Sequence, residues 1–433
     1  MSAPSSAPRC APRFKIANRS QTEWRFFSLE EFVAADDPVR AVWAFVETQD
    51  LSRLYDSILA VEGGPGRDPI DPKILFALWL YATIEGVGSA RRLDRLCEKH
   101  LHFMWLCGGV PVNYHTLSDF RTEHVDLLDE LLTQGVAAMM QVGLVELKRV
   151  AQDGMRVRAS AGSSSFGRER KLQECLEEAE VQLAALKQEE AADGGAENRR
   201  EAAAKKNAAE QRAERIRRAI VEREKVAAKM EERKKESGTK ARASMTDPEA
   251  RVMKMGDGGF RPAHNVQFAT TTDSLVIVGV DVVNAGTDGS QMGPMVDQLQ
   301  KRYQQQPEEY LADGGFVKLS EITRLGAAGI TLYLPVMEQS QKRAKGIDPF
   351  APMKGDTPQI AAWRQRMGTP AAKEIYPQRA SSAELANAGC RNRGLVQFLV
   401  RGLEKVKAVA LWHALAHNFQ RFRHLTAPQP VPN

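Results

Sequence analysis

The chain has 433 residues, 43% of them hydrophobic and 27% charged, and a formal net charge of +5. That length suits two to four domains, and the composition is that of a globular chain rather than a disordered, collagen-like or membrane protein. No stretch approaches the ~20 apolar residues of a membrane-spanning helix. The Pro/Ser/Ala-rich start has no signal-peptide core, so residues 1–20 are expected to be a loose tail. Five scattered cysteines, Cys10, Cys97, Cys107, Cys175 and Cys390, argue against a disulfide framework and for the cytoplasm. The 60 Lys+Arg favour a nucleic-acid partner only slightly, because a solvated surface carries the same excess.

Residues 21–147 read as helical. Asp37-Pro38 and Asp71-Pro72 are N-cap signals with proline in the first turn. Each precedes apolar residues at helical spacing: Val42, Phe45 and Val46, then Ile74, Leu75, Leu78 and Trp79. A Gly/Pro break at 62–66 separates the two. Gly86-Val87-Gly88-Ser89 ends the second helix, a short arginine-rich helix follows, and Asn113 to Thr116 leads into a helix from Leu117 to Met140. Arg91, Arg92 and Arg95, with Tyr114, His115 and Thr116, form either a helix-turn-helix surface contacting phosphates or a solvated helix face.

The period changes after Leu147, and Arg149 to Val157 reads as a strand. Residues 166–242 are rich in Ala, Glu, Lys and Arg, which predicts a charged helical hairpin turning at Asp193-Gly194-Gly195. Leu172, Leu176, Val181, Leu183 and Leu186 form a thin stripe on its first arm, with Ile216, Ile220, Val221 and Val226 on the second. Strand signals then resume. Residues 263–283 predict an antiparallel pair turning at Thr272-Asp273, followed by a helix over 291–302 and a strand over 309–312. Another helix spans 319–326 and another strand 330–336, an α/β order in one sheet. Residues 337–367 read as loops around a short helix near Ala361. A long helix over 370–422, with breaks at Gly389 or Gly402, precedes a Pro-rich tail at 426–433.

Five Asp-Gly pairs occur, one of them the hairpin turn at Asp193, and the pattern alone is a turn signal. Asp257-Gly258 and Asp288-Gly289 are read as turns. Asp153 and Asp313 differ because each lies in or just after a strand, and the two strands could be neighbours. A glycine beside such a carboxylate lets a metal or phosphate come close to the backbone. Two-metal phosphoryl transfer, with ions ~3.5–4 Å apart, needs a further acid. Glu384 is the candidate for it, between Arg379 and Arg391, with Glu374 as its alternative. Arg393, Arg401, Lys405 and Lys407, read as lying on the same C-terminal helix, would track a DNA backbone or form salt bridges with residues such as Glu404. Cys97, His100, His102 and Cys107 match no common zinc spacing. His413 and His417 share a helix face, where packing or a DNA contact suits them better than a metal.

The order of these motifs resembles the DDE transposases of bacterial insertion sequences (IS4/IS5-type). The residues that carry the resemblance are Gln152-Asp153-Gly154-Met155, Leu311-Ala312-Asp313-Gly314-Gly315 and Tyr376-x2-Arg379-x4-Glu384-x6-Arg391. Asp71-Pro72-Lys73, Thr246-Asp247-Pro248, Asn265-Val266-Gln267-Phe268 and Ala416-His417-Asn418 extend it from about Trp24 to Phe422. One departure stands out: the family signature has three residues between Arg and Glu, and this chain has four.

The resemblance implies an α/β fold, with an RNase H-like mixed sheet flanked by helices over 148–425. The charged hairpin would be an insertion in it, and residues 21–147 an all-α DNA-binding domain. It also implies Asp153, Asp313 and Glu384 holding two Mg²⁺ ions, for which Mn²⁺ would substitute. The reaction would be metal-dependent cleavage and strand transfer on double-stranded DNA, at transposon ends and target. Arg379, Arg391, Arg393, Arg401, Lys405, Arg91, Arg92 and Arg95 would contact that DNA. The protein would be a homodimer or larger on DNA, away from membranes, in the cytoplasm and associated with the nucleoid. A catalytically inactive DNA-binding descendant is the alternative. A structural coiled-coil protein would explain only the hairpin.

Overall fold

The computed structural model describes residues 28–56, 58, 68–192 and 196–427. The expected N-terminal tail, the 62–66 break, the turn at 193–195 and positions 428–433 of the C-terminal tail lie outside the described residues. The protein is a mixed α/β structure.

Eight helices come first: α1 Leu29–Phe32, α2 Pro38–Glu47, α3 Ser52–Tyr55, α4 Pro72–Ile84, α5 Ala90–Lys99, α6 Leu101–Cys107, α7 Tyr114–Glu123 and α8 Val125–Gln141. The aspartate caps act as the sequence predicts. Asp37 accepts from the Val39 N–H and Asp71 from the Lys73 N–H, satisfying donors that the first turn leaves free. Helix α4 is buried almost all round, so it is the axis of the bundle rather than a surface helix. The single helix predicted over 117–140 is instead two. Asn113 caps the first at His115 and Thr116, and His124 leaves the helical region of backbone space between them.

The strands are β1 Arg149–Arg158, β2 Phe166–Gly167, β3 Ala243–Ser244, β4 Arg251–Lys254, β5 Phe260–Thr271, β6 Ile277–Val283, β7 Glu309–Leu311 and β8 Thr331–Tyr333. The main sheet runs β6–β5–β1–β7–β8, with β4 on the same edge of β5 as β6. β5 is antiparallel to β1 and β6, whereas β7 is parallel to both β1 and β8. Two side-chain amides cover the outer edge of β6. Asn418 bonds both the N–H and C=O of Ile277 at 2.8 Å, and Gln298 does the same for Val280 at 3.0 Å.

The charged hairpin is formed by α9 Glu169–Ala192 and α10 Ala196–Arg233. The antiparallel β2–β3 pair closes its base. Its core is small, built on Leu172, Ala179, Ala213, Ile216 and Ala219. Val181 and Val221, expected in the apolar stripe, point outward at 71% and 50% exposure. Ion pairs such as Arg217–Glu180 at 2.7 Å link the arms instead.

The remaining helices are α11 Met292–Tyr303, α12 Leu319–Ala327, α13 Gln339–Ala344, α14 Pro358–Met367, α15 Pro370–Ile375, α16 Leu385–Asn392 and α17 Leu403–Thr426. The long C-terminal helix is thus in pieces. Gly389 continues α16, while Gly394 and Gly402 take φ of +92° and +88°, turning the chain out of α16 and back into α17. Arg393 and Arg401 therefore lie in the connecting loop and Lys405 and Lys407 on α17, not on the helix that follows Glu384. Helix α17 packs on α4, α7, α8 and β6, so one apolar cluster runs from the N-terminal helices into the sheet.

Candidate functional site: two strand-borne carboxylates under a helix

The register of the sheet brings the two aspartates together. In the parallel β1–β7 pair Ala151 stands opposite Leu311, and Asp153 and Asp313 each follow by two residues. Asp153 accepts from its neighbour's N–H (Gly154) at 3.0 Å and from Asn387 Nδ2 at 2.8 Å. Asp313 caps a short 3₁₀ turn by accepting from the Gly315 N–H at 2.7 Å. Burial, and then the like charge of Asp313, push the Asp153 pKa up to about 6, although Asn387 and the Arg379 charge oppose the shift.

Gly154 is also required by packing. A Cβ there would lie 2.3 Å from Asp288 Oδ1 and 2.6 Å from Gln267 Nε2. The space on the Gly154 face of β1, opposite the Asp153 side chain, is therefore filled by protein. Asp288, read as a turn residue, is a buried anchor. It pairs with Arg156 at 2.6 Å and accepts from Asn265 and Gln267, each at 2.7 Å. Gln267 in turn bonds Gln152, which accepts from the Tyr310 hydroxyl at 2.6 Å. This buried chain of amides fixes β1, β5 and β7 against one another directly behind the carboxylates. The Asn265–Gln267 pattern was visible in the sequence, but its link to Asp288 was not, because the partners lie 20 or more residues apart.

Glu384 arrives from a helix. Residues Ala380–Glu384 form one π-helical turn that leads into α16. A π turn advances by i→i+5 where an α turn advances by i→i+4. It therefore absorbs the extra residue between Arg379 and Glu384 and keeps both on one face, paired at 2.6 Å. Arg379 is largely buried, with its guanidinium 5.9 Å from the Tyr376 ring centroid. The charges of Asp313 and Glu384 both reach Tyr376, whose pKa is raised mainly by burial. Glu384 itself is half-exposed, and among the described residues no three His, Cys, Asp or Glu side chains gather as a metal-holding group. Glu374 is exposed on α15.

A cation fits the aspartate pair on the chemistry of its donors. Two carboxylates face one region with one of them resisting ionisation, and the buried Oδ1 of Asn387 beside them has no partner. Glu384 would have to leave Arg379 to join them.

The other singled-out residues lie elsewhere. Arg91, Arg92 and Arg95 form an exposed face of α5, with Arg91 5.2 Å from the Tyr114 ring at the start of α7. Arg391, Arg401 and Lys405 are exposed, and Arg401 donates to the Ser160 carbonyl. Both nitrogens of His102 are engaged, by Tyr81 and Asp37. His413 and His417 are buried, and His417 bonds the Leu275 carbonyl.

Residues 27–123, less than a quarter of the chain, match the family model described as Transposase domain (DUF772). The matched segment is the helical bundle from α1 to α7, so this part of the chain is similar to a transposase domain and supports a transposase role. No curated protein and no solved structure matches the chain. Among the described residues, no helix is long and apolar enough to cross a membrane.

Proposed function

We propose that the protein is a transposase of the DDE type, cutting and joining double-stranded DNA at the ends of its element with a divalent metal. The observation that carries this reading is the juxtaposition of Asp153 on β1 with Asp313 just past the end of the parallel neighbour β7, in a chain whose helical part is similar to a transposase domain. An antiparallel meander continued by parallel strands also supports the RNase H-like reading of the sheet.

Asp153 and Asp313 would hold the metal, Mg²⁺ or Mn²⁺, with Glu384 completing the set after release from Arg379. When bound, such ions activate a hydroxyl nucleophile and stabilise the leaving oxygen of a phosphodiester. The chain's own residues do the positioning. Asn387 orients the Asp153 carboxylate, and the Asp288–Arg156–Gln267 network holds the strand beneath it. A DNA phosphate approaching Arg379 would compete with Glu384 for the guanidinium, which couples DNA arrival to release of the third acid. The exposed arginines of α5, with Arg391, Arg393, Arg401 and Lys405, would contact the DNA backbone, and two ends would require at least a dimer.

A nicking assay with Mg²⁺ or Mn²⁺, on DNA carrying the gene's own flanking sequences, tests the reading. Wild type should cut at a fixed terminus, whereas Asp153→Asn and Asp313→Asn should bind the DNA without cutting. Binding without cutting by wild type under either metal would favour the inactive DNA-binding alternative.

A further inference from the structure

A second polar cluster lies apart from the carboxylates, where α4, α7 and α17 meet the loop joining α16 to α17. There Thr83, Gly88, Arg121, Arg158, Arg393 and His413 help line a cavity of about 240 Å³. Arg121 is 7% exposed and, among the described residues, has no carboxylate partner. It donates to the Gly88 carbonyl and lies 4.6 Å from the Trp79 ring centroid, and its Nε has no partner. Burial alone brings its pKa down to about 10.

His413 is 5% exposed, and its Nδ1 is likewise unpartnered. Burial, together with the charges of Arg121 and Arg393, holds this imidazole neutral. Arg393 donates to Gln420 at 2.8 Å and lies 3.3 Å from His417 Nδ1, and its Nε too is without a partner. Arg158 stands exposed at the end of β1, beside Gln397 and Leu399, which are also exposed.

Buried guanidinium groups are normally compensated by an acid, because a desolvated charge without a counter-charge is strongly unfavourable. Among the described residues no carboxylate lines the cavity, and three buried nitrogen atoms of its lining residues lack partners. We infer that this cavity is a phosphate-binding pocket, in which Arg121 and Arg158 hold one tetrahedral oxyanion and Arg393 forms part of the wall. Arginines lining one cavity from different elements suit a phosphate, which offers oxygens in several directions, better than a single carboxylate. The phosphate can come from a DNA backbone or from free inorganic phosphate. The inference holds whether or not the chain cuts DNA.

The test is calorimetric titration of the full chain with inorganic phosphate at constant ionic strength, using wild type, Arg158→Ser and Arg121→Met. Arg158 is exposed, so that variant keeps its fold even if Arg121→Met does not. Wild type should bind phosphate saturably and melt at a higher temperature in its presence, and Arg158→Ser should lose about tenfold or more in affinity. A second arm measures the salt dependence of binding to a short DNA duplex. A slope reduced by about one in Arg158→Ser assigns the pocket to a DNA phosphate. An unchanged slope with phosphate binding weakened assigns it to the free ion. Phosphate binding undiminished in Arg158→Ser would overturn the inference, as would no phosphate binding by wild type together with an unchanged slope.

Discussion

The two halves of the carboxylate site are held in different ways. Asp153 and Asp313 are fixed by backbone register, one within β1 and the other two residues beyond the paired part of β7, with a buried amide network behind them. Glu384 is held by a single ion pair on a half-exposed helical turn. Asp153 cannot move without breaking the sheet and Asp313 is tied to the turn that leaves it, whereas the helix-borne acid needs only to exchange one partner. On the proposed reading, the rigid half would set where charge accumulates and the adjustable half when the site is complete.

The largest expected effect falls on the rigid half. Asp153→Asn and Asp313→Asn should each reduce DNA cleavage by more than ~100-fold, beyond the loss typical of groups that only orient a ligand. Asp153→Asn should also raise metal-free stability near pH 7 by about 1–3 kcal/mol, because it removes a carboxylate whose pKa the fold pushes up to about 6. The sign follows from linkage. A carboxylate raised on folding retains its proton longer in the native state, so its ionisation penalises the fold as pH climbs from about 4 to 6. Thermal melts at pH 4 and pH 7 should therefore show the gain only at the higher pH.

Gly154→Ala would break the rigid half sterically. A methyl group 2.3 Å from the Asp288 carboxylate must displace a side chain held by Arg156, Asn265 and Gln267, at about 1–3 kcal/mol. Denaturant melts check this, and Gly315→Ala is a milder control, since its nearest neighbour would be 3.0 Å away.

The adjustable half should respond differently. Removing Ser381 would turn the π turn into an α turn and leave three residues between the arginine and the glutamate, as in the family signature. Cleavage should then persist within about tenfold, whereas adding a residue there should abolish it. A smaller effect concerns α17. His413 and His417 have pKa values pushed down to about 3 and 4, mainly by burial. A histidine depressed on folding binds its proton first in the unfolded state, so stability should fall as pH drops below about 6.5. Replacing His417 with Gln should flatten that slope.

Much of this was legible in the sequence, because the signals were local. The aspartate–proline caps, the β-branched run into β6, and the strand-then-acid placement of Asp153 and Asp313 depend on neighbours a few residues away. What was missed depends on distant partners. Asp288 looks like any Asp-Gly turn until Arg156, Asn265 and Gln267 are folded around it. Strand β4 is four residues long and polar at its ends, too short to show alternation. The sequence leaves the break in the C-terminal helix open between Gly389 and Gly402, because the two look alike in sequence, yet only Gly402 of the pair takes positive φ. The four-residue spacing before Glu384 looked like a defect and is accommodated by one π turn.

The most direct test of the central claim is a calorimetric Mn²⁺ titration of the full chain, with wild type, Asp153→Asn, Asp313→Asn and Arg379→Met. The account predicts that wild type binds Mn²⁺, that each aspartate variant loses that binding, and that Arg379→Met, which frees Glu384, binds more tightly. Mn²⁺ binding undiminished in both aspartate variants would contradict it.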